Sequence, residues 1–251
     1  MVFMKNPLLL KMTERLLAAR ERPARKPVMY QRWEDLFFLH WEYPVDLLQP
    51  LLPSGLTLDT YEGVAHIGIV GFQMRGVRPA GFPALPWLSA FNELNVRLYV
   101  RDASGEPGVY FLSLDCDRGP AVLLARSFFS LPYEFAKFTV RPGFQMNCVR
   151  NTQKHTACFS WQGKGAPKPS LPGSLEFHLV ERYSFFTKHR NRLLRGQVYH
   201  SPYEICTAVA TQWSDLPLVW DGLPPIARSP DLVHCSRGVN VEAFGLVQAF
   251  E

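Results

Sequence analysis

Two stretches of this chain set ionisable side chains into otherwise apolar surroundings. In Phe91-Asn92-Glu93-Leu94-Asn95-Val96-Arg97 polar and apolar residues alternate as in a β-strand, so Glu93, Asn95 and Arg97 share one face. A carboxyl, an amide and a guanidinium in such a row can exchange a proton and bind an acid. If the face meets solvent, it is a strand surface with a cross-strand ion pair. If it points inward, its charges need partners or a ligand, because an unpaired buried charge is very costly. In the second stretch the apolar run Ala121-Val122-Leu123-Leu124-Ala125 ends at Arg126, whose planar fork suits a carboxylate, either that of Glu93 or that of a bound acid. Leu131-Pro132-Tyr133-Glu134 follows, read as a tight element that sets a phenol beside a carboxyl.

The remaining composition narrows the chemistry. No G-x-S-x-G elbow, P-loop, G-x-G-x-x-G or H-E-x-x-H motif occurs, and the histidines have no metal-ligand spacing, so neither a metal nor a cofactor is expected. Five cysteines without a C-x-x-C pair fit reduced thiols in a cytoplasm better than a disulfide framework. The formal charge of +5 comes largely from Lys11, Arg15, Arg20, Arg22, Arg25 and Lys26, read as a solvated helix face and not as a nucleic-acid or membrane patch. No apolar run approaches the roughly 20 residues that span a bilayer. A homo-oligomer is compatible with the sequence.

These residues must be held by short strands. Residues 7–21 read as a helix with a Leu8, Leu9, Met12, Leu16, Leu17 stripe, ended by Pro23 and Pro27. Residues 1–28 are accordingly a basic amphipathic helix and linker, and residues 29–251 a single domain. Within it, strands are predicted at 35–41, 64–72, 95–101 and 109–114, the last two forming a hairpin at Gly105, with further strands at 138–140, 147–149, 156–161, 196–198 and 239–244. Residues 45–52 have helical spacing, Ser174 caps a second helical segment, and residues 163–173, with three prolines and three glycines, read as a flexible loop. The fold class is α+β, dominated by β, as a barrel or sandwich.

The motifs resemble those of the DUF2071 (YqjF-like) family over about residues 30 to 245. They include W-x-Y-P-V-D-x-L-x-x-L-L-P-x-G-L-x-L from Trp41 to Leu58, Gly71-Phe72-Gln73-Met74-Arg75-Gly76-Val77-Arg78-Pro79, the Phe91–Arg97 segment, Leu131-Pro132-Tyr133, Glu181-Arg182-Tyr183 and His200-Ser201-Pro202-Tyr203. The resemblance implies an acetoacetate decarboxylase-like closed β-barrel with flanking helices around a small-acid pocket. In the decarboxylases a strand ending in Arg-Glu leads to Pro-Lys-Lys, whose first lysine forms a Schiff base. Arg126-Ser127 falls on Arg-Glu, and Pro132-Tyr133-Glu134 on Pro-Lys-Lys. Glu93 matches the barrel glutamate.

A phenol cannot form an imine, so the decarboxylase mechanism is not inherited. The expectation is a cavity lined by Glu93, Arg97, Arg126 and Tyr133, with Tyr110, Arg150 and Tyr183 beside them. Glu93 would serve as general acid or base, Tyr133 as hydrogen-bond or proton donor, and the arginines would bind a small anionic ligand. Non-imine catalysis on an oxo-acid and non-catalytic binding or sensing both remain open.

Overall fold

The computed structural model describes residues 7–85, 89–119 and 129–250. The elements are α1 (Pro7–Ala19), β1 (Met29–Tyr43), α2 (Val45–Leu48) running into a 3-10 turn (Gln49–Leu51), β2 (Leu56–Leu58), β3 (Ala65–Pro79), β4 (Phe91–Asp102), β5 (Pro107–Cys116), β6 (Tyr133–Arg141), β7 (Gln145–Arg150), β8 (Ala157–Pro169), α3 (Leu175–Val180), β9 (Ser184–His189), β10 (Arg192–Tyr199), β11 (Glu204–Gln212), α4 (Leu216–Trp220) and β12 (Leu232–Gln248). All twelve strands join one sheet in the order β10-β9-β5-β6-β7-β8-β11-β12-β1-β3-β4-β2, and extra pairings of β10 with β12 and of β5 with β4 turn it back on itself. Strands β1, β3, β4, β5, β9, β10 and β12 thereby form a barrel-like ring, and the molecule is mostly β. Helix α1 lies outside this ring and buries Leu16.

Strands β1, β3 and β4 form a wall with two buried faces. One face carries Phe37, Leu39, Trp41, Ile67, Ile69, Leu94, Val96 and Leu98 into an apolar core shared with Ala136, Met146, Cys148, Phe159 and Leu218. The other carries Leu36, Phe38, Val70, Phe72, Met74 and Phe91 into the ring. A strand buried on both sides reads as an unbroken apolar run, which is what residues 36–39 and 67–72 are.

Two irregularities change which residues face the ring. In β1 the register shifts between Glu34 and Phe37, where Asp35 takes φ +51° and accepts a 2.9 Å hydrogen bond from Gln73. The extra residue resets the alternation, so Gln31 and Trp33 before it and Leu36 and Phe38 after it all face inward. In β5 a similar shift opposite Val96 and Arg97 lets Phe111 and Leu114 both point into the ring.

Two stretches differ from the sequence expectation. Residues 163–169 are not a loop but the far half of β8, paired with β11. Beyond Ser160 that half has no partner on its β7 side among the described residues, so Pro167 and Pro169 sit on an edge where proline is tolerated, and Gly165 (φ +78°) falls within the Ile205/Thr207 register shift. Tyr133 and Glu134 do not lie in a turn; they begin β6, with Tyr133 level with Leu114 of β5.

Part of the N-terminal basic cluster is held against the ring. Arg22 pairs with Glu242 at 2.7 Å, and Arg25 and Arg15 donate to the carbonyls of Gly245 and Ser104.

The wall makes a direct prediction. A Cβ on Gly71 would meet the Phe37 ring at 2.3 Å and Leu94 at 3.0 Å. Gly71→Ala should therefore lower stability by about 1–3 kcal/mol in urea unfolding, whereas an unchanged midpoint would mean the wall is not packed this tightly.

Candidate functional site

The ring encloses a cavity of about 510 Å³. The ladder gives its levels. Met29, Pro79 and Ala243 are register partners at one end, Trp33, Met74 and Phe91 come next, then Phe72 and Glu93, then Phe38, Val70 and Asn95, and last His40, Gly68 and Arg97. Around the first level the lining is open to solvent, with Val28 and Pro79 exposed. At the last level Arg97 is 9% exposed and His40 fully buried. Most of the wall between is aromatic or aliphatic; its polar groups lie mainly on β4, with Gln31 on β1 and Tyr133 on β6.

Glu93 is 2% exposed. The Tyr133 hydroxyl donates to its Oε2 at 2.7 Å, and the Asn95 amide donates to its Oε1 at 3.3 Å. Burial pushes the Glu93 carboxyl up to about 7, and the two hydrogen bonds, which favour the carboxylate, offset only part of that effect. Burial also pushes the Tyr133 phenol well above its usual range, and the adjoining Glu93 pushes it further. The pair thus stands as a carboxyl that exchanges a proton near neutral pH beside a phenol that stays protonated. Asn95 leaves its Oδ1 buried without a donor among the described residues.

Arg97 occupies the inner end. Its Nε donates to the Tyr99 hydroxyl at 3.1 Å and its Nη2 to the Leu179 carbonyl at 3.0 Å, while the guanidinium lies over the Phe38 and Tyr99 rings. Among the described residues no acid pairs with it and its Nη1 makes no hydrogen bond. Helix α3 supplies the Leu179 carbonyl, and its start is fixed by Ser174 Oγ accepting from the Phe177 N–H. His40 Nε2 lies 2.6 Å from the Tyr99 hydroxyl and holds it toward Arg97. Arg182 closes the same end, its charge balanced by Asp59 at 2.7 Å.

The structure thus brings Glu93, Arg97, Tyr133 and Tyr183 to one cavity, and Arg126 lies outside the described residues. Tyr183 is a wall residue whose hydroxyl donates to Glu181. Two expected lining residues are elsewhere. Tyr110 lies between Val109 and Phe111, which face the cavity, so strand alternation turns it away into a separate smaller hollow. Arg150 stands on β7, outside the ring, and is consumed by acids: it forks onto Asp115 (2.7 and 3.1 Å) and reaches Asp221 at 2.8 Å and Ser113 at 2.8 Å. Lys137 is exposed on β6, and no lysine lines the cavity among the described residues. No cluster of histidine, cysteine and acidic side chains among the described residues could hold a metal ion, and all five cysteines are free thiols.

Sequence reasoning had Asn95 on the correct face but gave it no role, and it missed Tyr99 and His40. Tyr99 was within reach, since it continues the Glu93, Asn95, Arg97 alternation by one step. His40 carried no such signal, because its meeting with Tyr99 depends on the neighbouring strand.

This architecture is that of the acetoacetate decarboxylase-like proteins. An acetoacetate decarboxylase-like enzyme from Sphingomonas wittichii RW1 superposes with a TM-score of 0.61 at 14% identity, covering 90% of this chain and 95% of that one. The enduracididine biosynthesis enzyme MppR, solved in complex with pyruvate, superposes with a TM-score of 0.60 at 14% identity over 91% and 93%. At such identities the likeness concerns the fold. Residues 30–240 match DUF2071, described as "Uncharacterized conserved protein (COG2071)", and the chain belongs to that family. The uncharacterized protein YqjF of Bacillus subtilis (strain 168) is 39% identical over 187 residues, 73% of this chain and 77% of that one.

Two variants probe the two polar clusters separately. Because burial raises the Glu93 pKa from 4.5 to about 7, the folded chain keeps a proton that the unfolded chain has released. Stability contributed by this group is therefore full below pH 4.5 and lost as pH rises through about 7. Glu93→Gln stays neutral throughout, so its stability relative to the native chain should improve across that window and level off above it. A pH-independent difference in urea midpoints would contradict the assignment. Arg150→Ala should cost about 3–5 kcal/mol, because it strands Asp115 and Asp221 as buried charges.

Proposed function

We propose that this chain takes a small organic acid, an oxo-acid or related anion, into the cavity and exchanges a proton with it without forming a covalent imine. The observation that carries this reading is Arg97, a buried guanidinium that lines the cavity with no acid partner among the described residues. Such a cation is stabilised most by an incoming carboxylate, which its free edge can meet with charge-assisted hydrogen bonds. Arg126 is proposed as a second cation for the same acid.

Glu93 and Tyr133 supply the proton chemistry in this reading. A carboxyl near 7 can take or give a proton at neutral pH, and Tyr133 holds the carboxylate form while it lasts. Asn95 Oδ1 is open to a hydroxyl or water that accompanies the acid. The pyruvate held by MppR shows that a fold of this kind accommodates an oxo-acid, and that supports the ligand class. A second reading, a binding or sensing protein without turnover, draws on the cavity lining, which offers no amine nucleophile among the described residues. Turnover of bound oxo-acids separates the two.

The charge arrangement fixes a pH dependence. An anion on Arg97 is repelled by ionised Glu93, so affinity for a carboxylate should fall as pH rises through about 7, and Glu93→Gln should remove that fall. Arg97→Met should weaken carboxylate binding by calorimetry, and equal affinity in this variant would refute the reading. Borohydride added with acetoacetate should leave the mass of the protein unchanged. A substrate-dependent adduct on Lys137 would show that an imine forms after all.

A further inference from the structure

We infer that the acid bound here is not pyruvate-sized but a monocarboxylic acid with a long or bulky apolar body, its head on Arg97 and its body running toward Val28. This rests on the acid reading above and adds the substrate class. The cavity, about 510 Å³, has the size of sites that enclose whole drug-like molecules. Measured in water, each molecule of which occupies about 30 Å³, it has room for well over ten. An acid of three or four carbons at Arg97 would leave most of that space to water against hydrocarbon.

The walls decide against water. From Arg97 back to Phe91 is six residues of strand, roughly 20 Å, and along it the cavity is faced by Phe38, Phe72, Phe111, Leu114 and Met74. The charged groups of the lining, Glu93, Arg97 and Arg182, stand on β4 and at the inner end, whereas the polar side chain nearer the mouth, Gln31, is uncharged, so a ligand that satisfies Arg97 and also covers these walls carries its charge at the inner end only. The apolar lining continues to Val28, Val77 and Pro79, where the cavity reaches solvent, so the tail of a longer acid can be accommodated without burying a second charge. Covering a methylene with apolar wall is worth about three- to fourfold in affinity, which makes chain length a readable variable.

The test is calorimetry on the full chain with pyruvate, hexanoate, octanoate and decanoate, and with 1-decanol as the neutral control. Affinity should climb by about three- to fourfold per methylene along the series, and decanoate should bind more tightly than 1-decanol. Arg97→Met should weaken every acid, whereas Val77→Trp, which narrows the apolar part, should weaken decanoate and leave pyruvate unchanged. Octanoate and decanoate binding no more tightly than pyruvate, with all of them lost in Arg97→Met, would overturn this inference and leave the acid reading standing. Equal binding of 1-decanol and decanoate, unaffected by Arg97→Met, would overturn both. Val77→Trp can be compared with pyruvate on the same sample, so a misfolded variant is recognised by loss of both ligands.

Discussion

Glu93 and Arg97 share a strand face and yet do not neutralise each other. Four residues of extended chain separate them by about 13 Å, so the alternation that sends both inward also keeps them apart. Each charge must then be satisfied by some other element, and much of the architecture around the cavity does this. Strand β6 brings Tyr133 to Glu93. Helix α3 brings the Leu179 carbonyl to Arg97, and β1 brings His40 to the Tyr99 hydroxyl that Arg97 also uses. Glu93 receives donors from Tyr133 and Asn95 that favour its carboxylate, yet burial outweighs them and raises its pKa to about 7. Among the described residues Arg97 meets only neutral acceptors, the Tyr99 hydroxyl and the Leu179 carbonyl, and no acid.

The surrounding polar clusters show what a fully satisfied alternative looks like. Arg150 is clamped by two acids and a hydroxyl, and Arg182 is paired with Asp59. Both are as buried as Arg97, so the same fold neutralises a buried arginine with acids at two other positions. With no acid beside it among the described residues, Arg97 costs stability, and the apolar core on the opposite face of the wall provides packing to offset that cost. The wall thus has two roles in the fold: one face packs the core while the other lines the cavity.

Much of this was legible in the sequence, and the boundary has physical causes. Period-two alternation was enough to put Glu93, Asn95 and Arg97 on one face, and the Gly105 hairpin was visible as a turn between two strand patterns. The family motifs carried the fold and the meeting of Tyr133 with Glu93's strand. Tyr110 could not be placed from sequence, because its direction follows from the register of β5 against β4. The Asp35 bulge was equally hidden, since nothing in Glu34-Asp35-Leu36 distinguishes a reset of alternation from its continuation. Residues 163–169 misled because prolines and glycines mark loops in most settings, whereas an edge strand with one free side admits them. Arg150 was expected beside the cavity, and only the tertiary structure reveals the two acids that consume it.

The central claim is that Glu93 is a buried, tunable acid facing a cavity whose inner end attracts anions. The most direct measurement is a ¹³C NMR titration of the Glu93 side-chain carboxyl, assigned by its loss in Glu93→Gln. The expected midpoint lies near 7 and moves upward in Tyr133→Phe, because the phenol's hydrogen bond favours the carboxylate, and upward again when a carboxylic acid fills the cavity. A midpoint at the ordinary 4.5, indifferent to Tyr133 and to added acid, would contradict it.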